Sequence, residues 1–174
     1  MEIAVNSKQK GSSFERYTCK QLSLWVSEGK SDDLFWRSAM SGGRATVRTK
    51  KGEKTASGHG DITAVTPEGH ALTDNFVIEC KNYKDLEWSA FIYGKGFVWQ
   101  TWKILKNISY DNNKQPFLIL KQNKQKVIAG FDHDTRRKLE DNFGLNPFLQ
   151  TKFLVLYYLD DILNLTNAKL FLQV

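Results

Sequence analysis

Two acidic residues and a lysine are spaced so that their side chains can converge at one site. Asp61 stands at the start of one β-branched apolar run, and Glu79 and Lys81 stand at the end of the next. A Pro-Glu-Gly-His segment at 67–70 separates the runs, which predicts an antiparallel hairpin with Asp61 opposite Glu79. Side chains alternate along a strand, so Glu79 and Lys81 share one face and Cys80 lies on the other, apolar face. The two predicted strands are Ile62 to Thr66 and Phe76 to Cys80.

Two carboxylates and an amine at one end of a hairpin suit phosphodiester hydrolysis with a metal ion. Hard divalent cations such as Mg²⁺ prefer carboxylate oxygens and water, and phosphates supply further ligands. A cation held by Asp61 and Glu79 would polarise a phosphodiester and lower the pKa of a bound water. Lys81 would position that water and neutralise developing charge. The alternative is an ordinary exposed hairpin with charges on its solvated face.

The composition indicates a globular protein that favours polyanions. A chain of 174 residues suits one domain with a core of its own, and no apolar run approaches the roughly 20 residues that span a bilayer. The N-terminus lacks the apolar stretch of a secretory signal, so we expect a cytoplasmic protein of a bacterial, archaeal or phage-infected cell, without a membrane partner. Two cysteines cannot build a disulfide framework, and three histidines argue against zinc. A net charge of +6 favours a polyanionic partner.

The run Gly60-Asp61 followed by Glu79-Cys80-Lys81 resembles the signature of the PD-(D/E)xK nuclease superfamily. The resemblance implies an α/β fold, with a restriction-endonuclease-like mixed β-sheet core flanked by helices. It implies Mg²⁺ as cofactor, with Mn²⁺ as a substitute, held by Asp61, Glu79 and the Cys80 carbonyl, while Lys81 positions the hydroxide. Gly60 departs from the pattern, because the family often has proline before the first aspartate.

Glu15 has two interpretations. Residues 11–16 open a predicted helix that Gly29 ends, and Ser12 with Glu15 forms the S-x-x-E capping box, which would close the free amides of the helix. The segment KGSSFER also resembles the corresponding helix of archaeal-type Holliday-junction resolvases. That resemblance implies that Glu15 is a catalytic residue, an accessory carboxylate that points at the metal site.

A long basic segment follows the first predicted strand, Leu34 to Ser38. Residues 39–60 mix glycines with cations, which is typical of a mobile arm that orders on nucleic acid, or of a solvated linker. The run from Arg37 to Gly43 also resembles the flexible DNA-holding loop of the resolvases, in which a serine is important. Ser38 is the better match for a catalytic serine and Ser41 is the second. The predicted DNA-binding residues here are Arg37, Ser41, Arg44, Arg48, Lys50, Lys51 and Lys54.

The segment after Lys81 is aromatic and helical in pattern. Residues 85–110 form a predicted helix that is broken at 94–96, and most of its rings are expected in the core. Lys84 and Lys95 lie among them and are candidates for phosphate contacts. The run Phe117 to Leu120 predicts a buried strand. Its extension resembles the fourth core strand of phage-type resolvase-like nucleases, which implies that Lys121 and Asn123 bind DNA.

The last quarter of the chain matches nothing beyond general patterns. Val127 to Phe131, Phe153 to Tyr158 and Ala168 to Val174 are predicted strands, and Asp160-Asp161 a turn or helix start. Asp132-His133-Asp134 suggests a metal cluster, but Asp134 as the N-cap of a helix is favoured. The whole chain, 1–174, is predicted to be one nuclease domain with a core at about 10–125 and additional strands and a helix in 126–174.

The order helix, three strands, helix, strand fits this core. The leading hypothesis is a magnesium-dependent endonuclease that hydrolyses DNA phosphodiesters, at branched structures such as four-way junctions, and acts as a homodimer. One alternative is a sequence-specific restriction or homing endonuclease on the same core. The other is a non-catalytic nucleic-acid-binding or inhibitory protein.

Overall fold

The computed structural model describes residues 7–38 and 59–172 of the chain. The strands are β1 (Phe35–Arg37), β2 (Ile62–Ala64), β3 (Phe76–Tyr83), β4 (Gln115–Gln122), β5 (Ile128–Phe131), β6 (Leu149–Gln150) and β7 (Val155–Tyr158). The helices are α1 (Ser7–Val26), α2 (Pro67–Asn75), α3 (Trp88–Ile92), α4 (Gly96–Asp111), α5 (His133–Phe143), α6 (Leu159–Leu165) and α7 (Ala168–Leu172). Within this part of the chain, no helix is long and apolar enough to cross a bilayer.

Five strands form one mixed sheet in the order β3-β4-β5-β7-β6. β3 and β4 run parallel, and the other three pairs are antiparallel. A parallel pair needs a crossover connection, which α3 and α4 supply. β1 and β2 form a separate antiparallel pair beside β3. This arrangement confirms the predicted α/β class with a restriction-endonuclease-like mixed sheet between helices.

The sheet is buried on both faces. On one face, α1 packs through Phe14 and Leu22 on Ile78 and Cys80 of β3. On the other face, the central helix α4 packs through Trp102 and Leu105 on β4, in the second apolar cluster. A strand covered on both sides is apolar at successive positions, which is the pattern at 117–120. Cys80 belongs to the cluster on the α1 face, so alternation along β3 puts Glu79 and Lys81 on the opposite face from Cys80, as predicted.

The predicted hairpin between 62 and 80 is wrong. Residues 67–75 form helix α2, and the bridge beside β3, Gly60 to Ile78, is parallel. Thr66 caps the helix, since its side chain accepts from the backbone N–H of Gly69, and Pro67 occupies the first turn. Threonine at the N-cap followed by proline is a signal of a helix start. This signal outweighs the turn signal of the Pro-Glu-Gly-His segment.

Gly69 serves packing rather than a turn. A Cβ at this position would lie 2.8 Å from the carbonyl oxygen of Leu34, so only glycine lets α2 approach the start of β1 this closely. The helix thereby carries the chain from β2 back to the beginning of β3.

Three smaller predictions are also wrong. Ser12 lies inside α1, which begins at Ser7, and its hydroxyl donates to the Gln9 carbonyl, so it forms no capping box with Glu15. The cap of α5 is Asp132, whose side chain accepts from the Thr135 N–H, whereas Asp134 lies in the first helical turn. Residues 168–172 are helical, because they pack an apolar face, including Phe171, on the α1 side of the sheet.

The remaining predicted elements are present with shifted ends. The aromatic segment is two helices separated at Gly94 and Gly96, both of which have positive φ. The predicted strands at 34–38, 117–120, 127–131 and 153–158 correspond to β1, β4, β5 and β7. Asp160 and Asp161 lie in the first turn of α6.

Candidate active site

Asp61 is fixed by the edge of β3. Its backbone N–H donates to the Ile78 carbonyl at 2.8 Å, and its carboxylate Oδ2 accepts from the Cys80 N–H at 2.9 Å. The residue is only 6% exposed. A carboxylate that accepts a backbone N–H in this way is held in one orientation, so the position of Asp61 is set by the strand that carries Glu79 and Lys81.

Gly60 makes this contact possible. Its φ is +110°, and a Cβ would lie 2.5 Å from the Ile78 carbonyl oxygen. Proline has φ fixed near −65°, and L side chains avoid this region, so neither fits the backbone found here. The departure from the superfamily pattern at position 60 therefore follows from how closely the two segments approach.

Three oxygens surround the ammonium group of Lys81. Nζ lies 3.5 Å from Oδ2 of Asp61 and 3.4 Å from the Cys80 carbonyl oxygen, and it donates to Oε1 of Glu79. The Cys80 N–H points at Asp61, and its carbonyl points to the same side of the strand, away from β4. Two carboxylates and a carbonyl thus converge on one positive charge, although Asp61 and Glu79 belong to no hairpin.

Burial and the charges of neighbouring groups shift the pKa values of Glu79 and Lys81. Burial raises the pKa of the Glu79 carboxyl, and the Asp61 charge raises it further against the opposing effect of Lys81. Burial acts to lower the pKa of the Lys81 ammonium, but the carboxylates of Glu79 and Asp61 outweigh it and the pKa rises. Lys81 therefore stays protonated, and one ammonium leaves two acids incompletely neutralised.

Glu15 and Arg37 form a pair beside this group. Arg37 Nε donates to Glu15 Oε2 at 2.8 Å, with the glutamate side chain 13% exposed. The charge of Glu15 also raises the pKa of Glu79, so the pair lies within electrostatic reach of the acids. In the described residues, no three Asp, Glu, His or Cys side chains are close enough to hold a metal ion. The side-chain ligands available here are therefore Asp61 and Glu79, and a catalytic role of Glu15 stays a prediction.

The family model described as "Phage putative PDDEXK endonuclease" matches residues 6–164. The chain belongs to this family. No curated protein and no solved structure gives a significant match to the chain. The PDDEXK assignment agrees with the sequence resemblance at superfamily level, and the matched region contains Asp61, Glu79 and Lys81, whose catalytic roles stay predictions.

The end of β1 holds Asp61 from the other side. The backbone N–H of Ser38 donates to the Asp61 carbonyl at 2.8 Å, and the serine is 5% exposed. Ser38 is therefore a buried neighbour of Asp61, and its catalytic role stays a prediction. Its neighbour Arg37 is partly exposed beyond the ion pair, at 37% of its side chain.

The predicted DNA-binding residues fall into two groups. Lys84, Lys95 and Asn123 are exposed, and Lys121 is half-buried. Lys95 precedes α4, while Asn123 donates its backbone N–H to the Tyr83 carbonyl beside the end of β3. The others lie outside the described residues: Ser41, Arg44, Arg48, Lys50, Lys51 and Lys54.

Asn82 was not among the predicted site residues. Among the described residues its buried Oδ1 atom has no hydrogen-bond partner, and Asn82 directly follows Lys81 of the E-x-K run. An orphaned buried amide oxygen beside a site is a place for a water or ligand atom. Its position next to the E-x-K run was visible in the sequence, but its burial was not.

Proposed function

We propose that the protein is a magnesium-dependent endonuclease that cleaves DNA at branched structures. The observation that supports a metal site is the convergence of three oxygens, from Asp61, Glu79 and the Cys80 carbonyl, on the Lys81 ammonium. These are the ligand types that Mg²⁺ selects, and the incompletely neutralised acids favour a divalent cation. Mn²⁺, which accepts the same ligands, is expected to substitute.

When bound, the cation would polarise the scissile phosphate and lower the pKa of a bound water. The residues of the chain supply the rest. The β3 edge orients Asp61 through the Cys80 N–H, and the charged Lys81 donates to water and phosphate oxygens beside the carboxylates. Lys81 donates to the carboxylates in this site, and we propose that it acts as a donor and electrostatic stabiliser.

The proposals of branched DNA as the substrate and of a homodimer rest on the resemblance of KGSSFER and of the β4 end to resolvase-type nucleases. A two-fold dimer would present two such sites to symmetric strands. The surface that carries the DNA backbone would include Lys84, Lys121 and the cations of residues 44–54.

The test is cleavage of linear, flapped and four-way DNA in magnesium, in manganese and in EDTA, with four variants. Asp61→Asn and Lys81→Ala are each expected to lower the rate by about 10²-fold or more, since each removes a group that contacts the reacting centre. Asp141→Asn and Lys30→Ala, which change exposed residues of the same types, are the matched controls. Undiminished cleavage by both site variants would exclude this site.

The substrates divide the remaining alternatives. Preference for the four-way junction supports recognition of DNA shape. Defined cut sites in random duplex would instead support a sequence-specific enzyme of the same superfamily. Binding without cleavage under every metal condition would indicate a non-catalytic binding protein.

A further inference from the structure

A groove of about 500 Å³ lies outside the acid pair. Its walls combine three aromatic residues with amides and a lysine: Trp88, Phe148, Tyr158, Gln122, Gln125 and Lys126. The volume is in the range of small-molecule sites, roughly 300–1,000 Å³. Aromatic faces beside amide groups and a cation are the combination that binds nucleobases, because rings stack, amides read base edges and the cation attracts phosphate.

The groove and Lys81 lie on the same row of residues across the sheet. Lys81 pairs with Leu120, Leu120 with Ile128, and Ile128 with Tyr158, so the four residues form one row across β3, β4, β5 and β7. Residues paired in this way present their side chains on the same face. Three strand spacings of about 4.8 Å place the Cα of Tyr158 roughly 14 Å from that of Lys81. At about 3.4 Å of rise per nucleotide, this is some four steps along a strand.

The aromatic wall is preassembled. The Phe148 and Tyr158 rings stack at 4.6 Å with planes 16° apart, and Lys126 Nζ lies 4.8 Å from the Tyr158 centroid. Phe148 is nevertheless 44% exposed, so part of the ring remains open to a ligand. The stacked pair needs no rearrangement to present an aromatic face.

The turn between β4 and β5 supplies the polar edge. Its sequence from Lys121 to Lys126 contains three lysines and three amides and no acid. The turn is tight, since the Gln125 N–H donates to the Gln122 carbonyl and Lys124 has a φ of +61°. Gln122 is anchored as well, because its Oε1 accepts from the Leu86 N–H at 3.2 Å. Positive charge and hydrogen-bonding groups therefore lie at the mouth of an aromatic groove.

We infer that this groove binds an unpaired nucleobase of the DNA substrate, a few nucleotides from the scissile phosphate. The inference rests on the proposed function and deepens it, because a subsite for an extruded base selects DNA that offers one, as bulges and branch points do. A paired base is held in its stack and cannot enter without the cost of unpairing. The groove thus favours distorted over regular duplex.

The experiment measures binding to the full chain in EDTA, so that cleavage does not enter. Two duplexes of one sequence are compared, one with a single unpaired 2-aminopurine and one fully paired. One stacked base contributes roughly 5- to 150-fold to affinity, so the wild type is expected to bind the bulged duplex at least about fivefold more tightly. The 2-aminopurine fluorescence is expected to fall on binding, because the base stacks.

Phe148→Ala is expected to remove both the preference and the quenching, while affinity for the paired duplex stays within about twofold. Tyr110→Ala is the matched control, since Tyr110 is also exposed and also has a lysine, Lys106, over its ring. Phe148→Trp should restore the preference. Lys126→Ala, compared with Lys106→Ala, provides a second variant that leaves the aromatic wall in place, and it is expected to weaken binding of the bulged duplex severalfold.

The outcomes separate the two proposals. Equal binding of bulged and paired duplex by a protein whose cleavage depends on Asp61 overturns the base subsite and leaves the nuclease proposal intact. A Phe148-dependent preference without Asp61-dependent cleavage supports the subsite and overturns the nuclease proposal. A preference that persists in Phe148→Ala overturns the assignment of the groove.

Discussion

Replacement of Gly60 by alanine tests how the site is built. A non-glycine residue at φ +110° carries backbone strain of about 1–3 kcal/mol, and the added Cβ would lie 2.5 Å from the Ile78 carbonyl oxygen and 3.1 Å from its nitrogen. These are backbone atoms of β3, which cannot rotate away. Alanine also reduces the freedom of the unfolded chain, which returns about 0.4–1 kcal/mol. Strain less this return leaves up to about 2.6 kcal/mol, and the clash with backbone adds to it, so we expect a net loss of stability of about 2–3 kcal/mol.

Urea unfolding of Gly60→Ala measures this loss. With a slope of about 2 kcal/mol per molar urea, the midpoint should fall by about 1–1.5 M. Two glycines with open surroundings are controls. Gly144→Ala, at φ +64°, carries strain without a clash and should lose about 1 kcal/mol, whereas Gly11→Ala, inside α1, should gain about 0.5–1 kcal/mol. A Gly60→Ala protein no less stable than Gly144→Ala would refute the close approach of Gly60 to β3.

Further predictions concern stability alone. Burial, with the Glu15 charge, raises the pKa of the Cys19 thiol from 9.0 to about 12. A raised thiol pKa stabilises the fold below pH 9, and this stabilisation is lost as the pH rises towards 12. Between pH 8 and pH 10, the free energy of unfolding measured in urea should therefore fall by about 1.4 kcal/mol more for the wild type than for Cys19→Ala. Equal losses would contradict the burial of this thiol. A double-mutant cycle of Glu15→Gln and Arg37→Ala should give a coupling of about 1 kcal/mol, and additive effects would show that the 2.8 Å pair contributes nothing. Asp132→Ala should lower the free energy of unfolding by about 1 kcal/mol, because it removes the α5 cap, and Asp134→Ala should lower it by less than about 0.5 kcal/mol. If the thermal midpoints have the reverse order, the cap belongs to Asp134.

The central part of the fold could be predicted because burial on both faces leaves a clear pattern. The run Phe117 to Leu120 is apolar at every position, and β4 is indeed the strand with helices over both of its faces. The break in the aromatic helix at 94–96 could also be predicted, because two glycines are a signal for a helix end. In the structure both have positive φ, and they end one helix and begin the next.

The connection between β2 and β3 could not be predicted from the same kind of signal. Pro-Glu-Gly-His is compatible with a turn, and α2 is only weakly amphipathic, with Leu72 and Gly69 as its buried residues. The local signal for the helix is its start at Thr66 and Pro67, whereas the approach of Gly69 to Leu34 is a tertiary contact that no local pattern contains. The C-terminal helix at 168–172 was missed for a similar reason, because Phe171 is buried against rings of distant segments, Trp25 and Phe76.

The proximity of Asp61, Glu79 and Lys81 was predicted correctly although the connection was not, and the reason is physical. Asp61 reaches its position through the bond from the Cys80 N–H and the bridge from Gly60 to Ile78, and both depend only on residues beside the signature. The 17 residues between Asp61 and Glu79 need only bring the chain back to the start of β3, which a hairpin or a helix can do. Spacing alone therefore constrains the chemistry more tightly than the topology. Changes inside α2 should therefore alter stability, whereas changes at Gly60 should alter both stability and the position of the carboxylate.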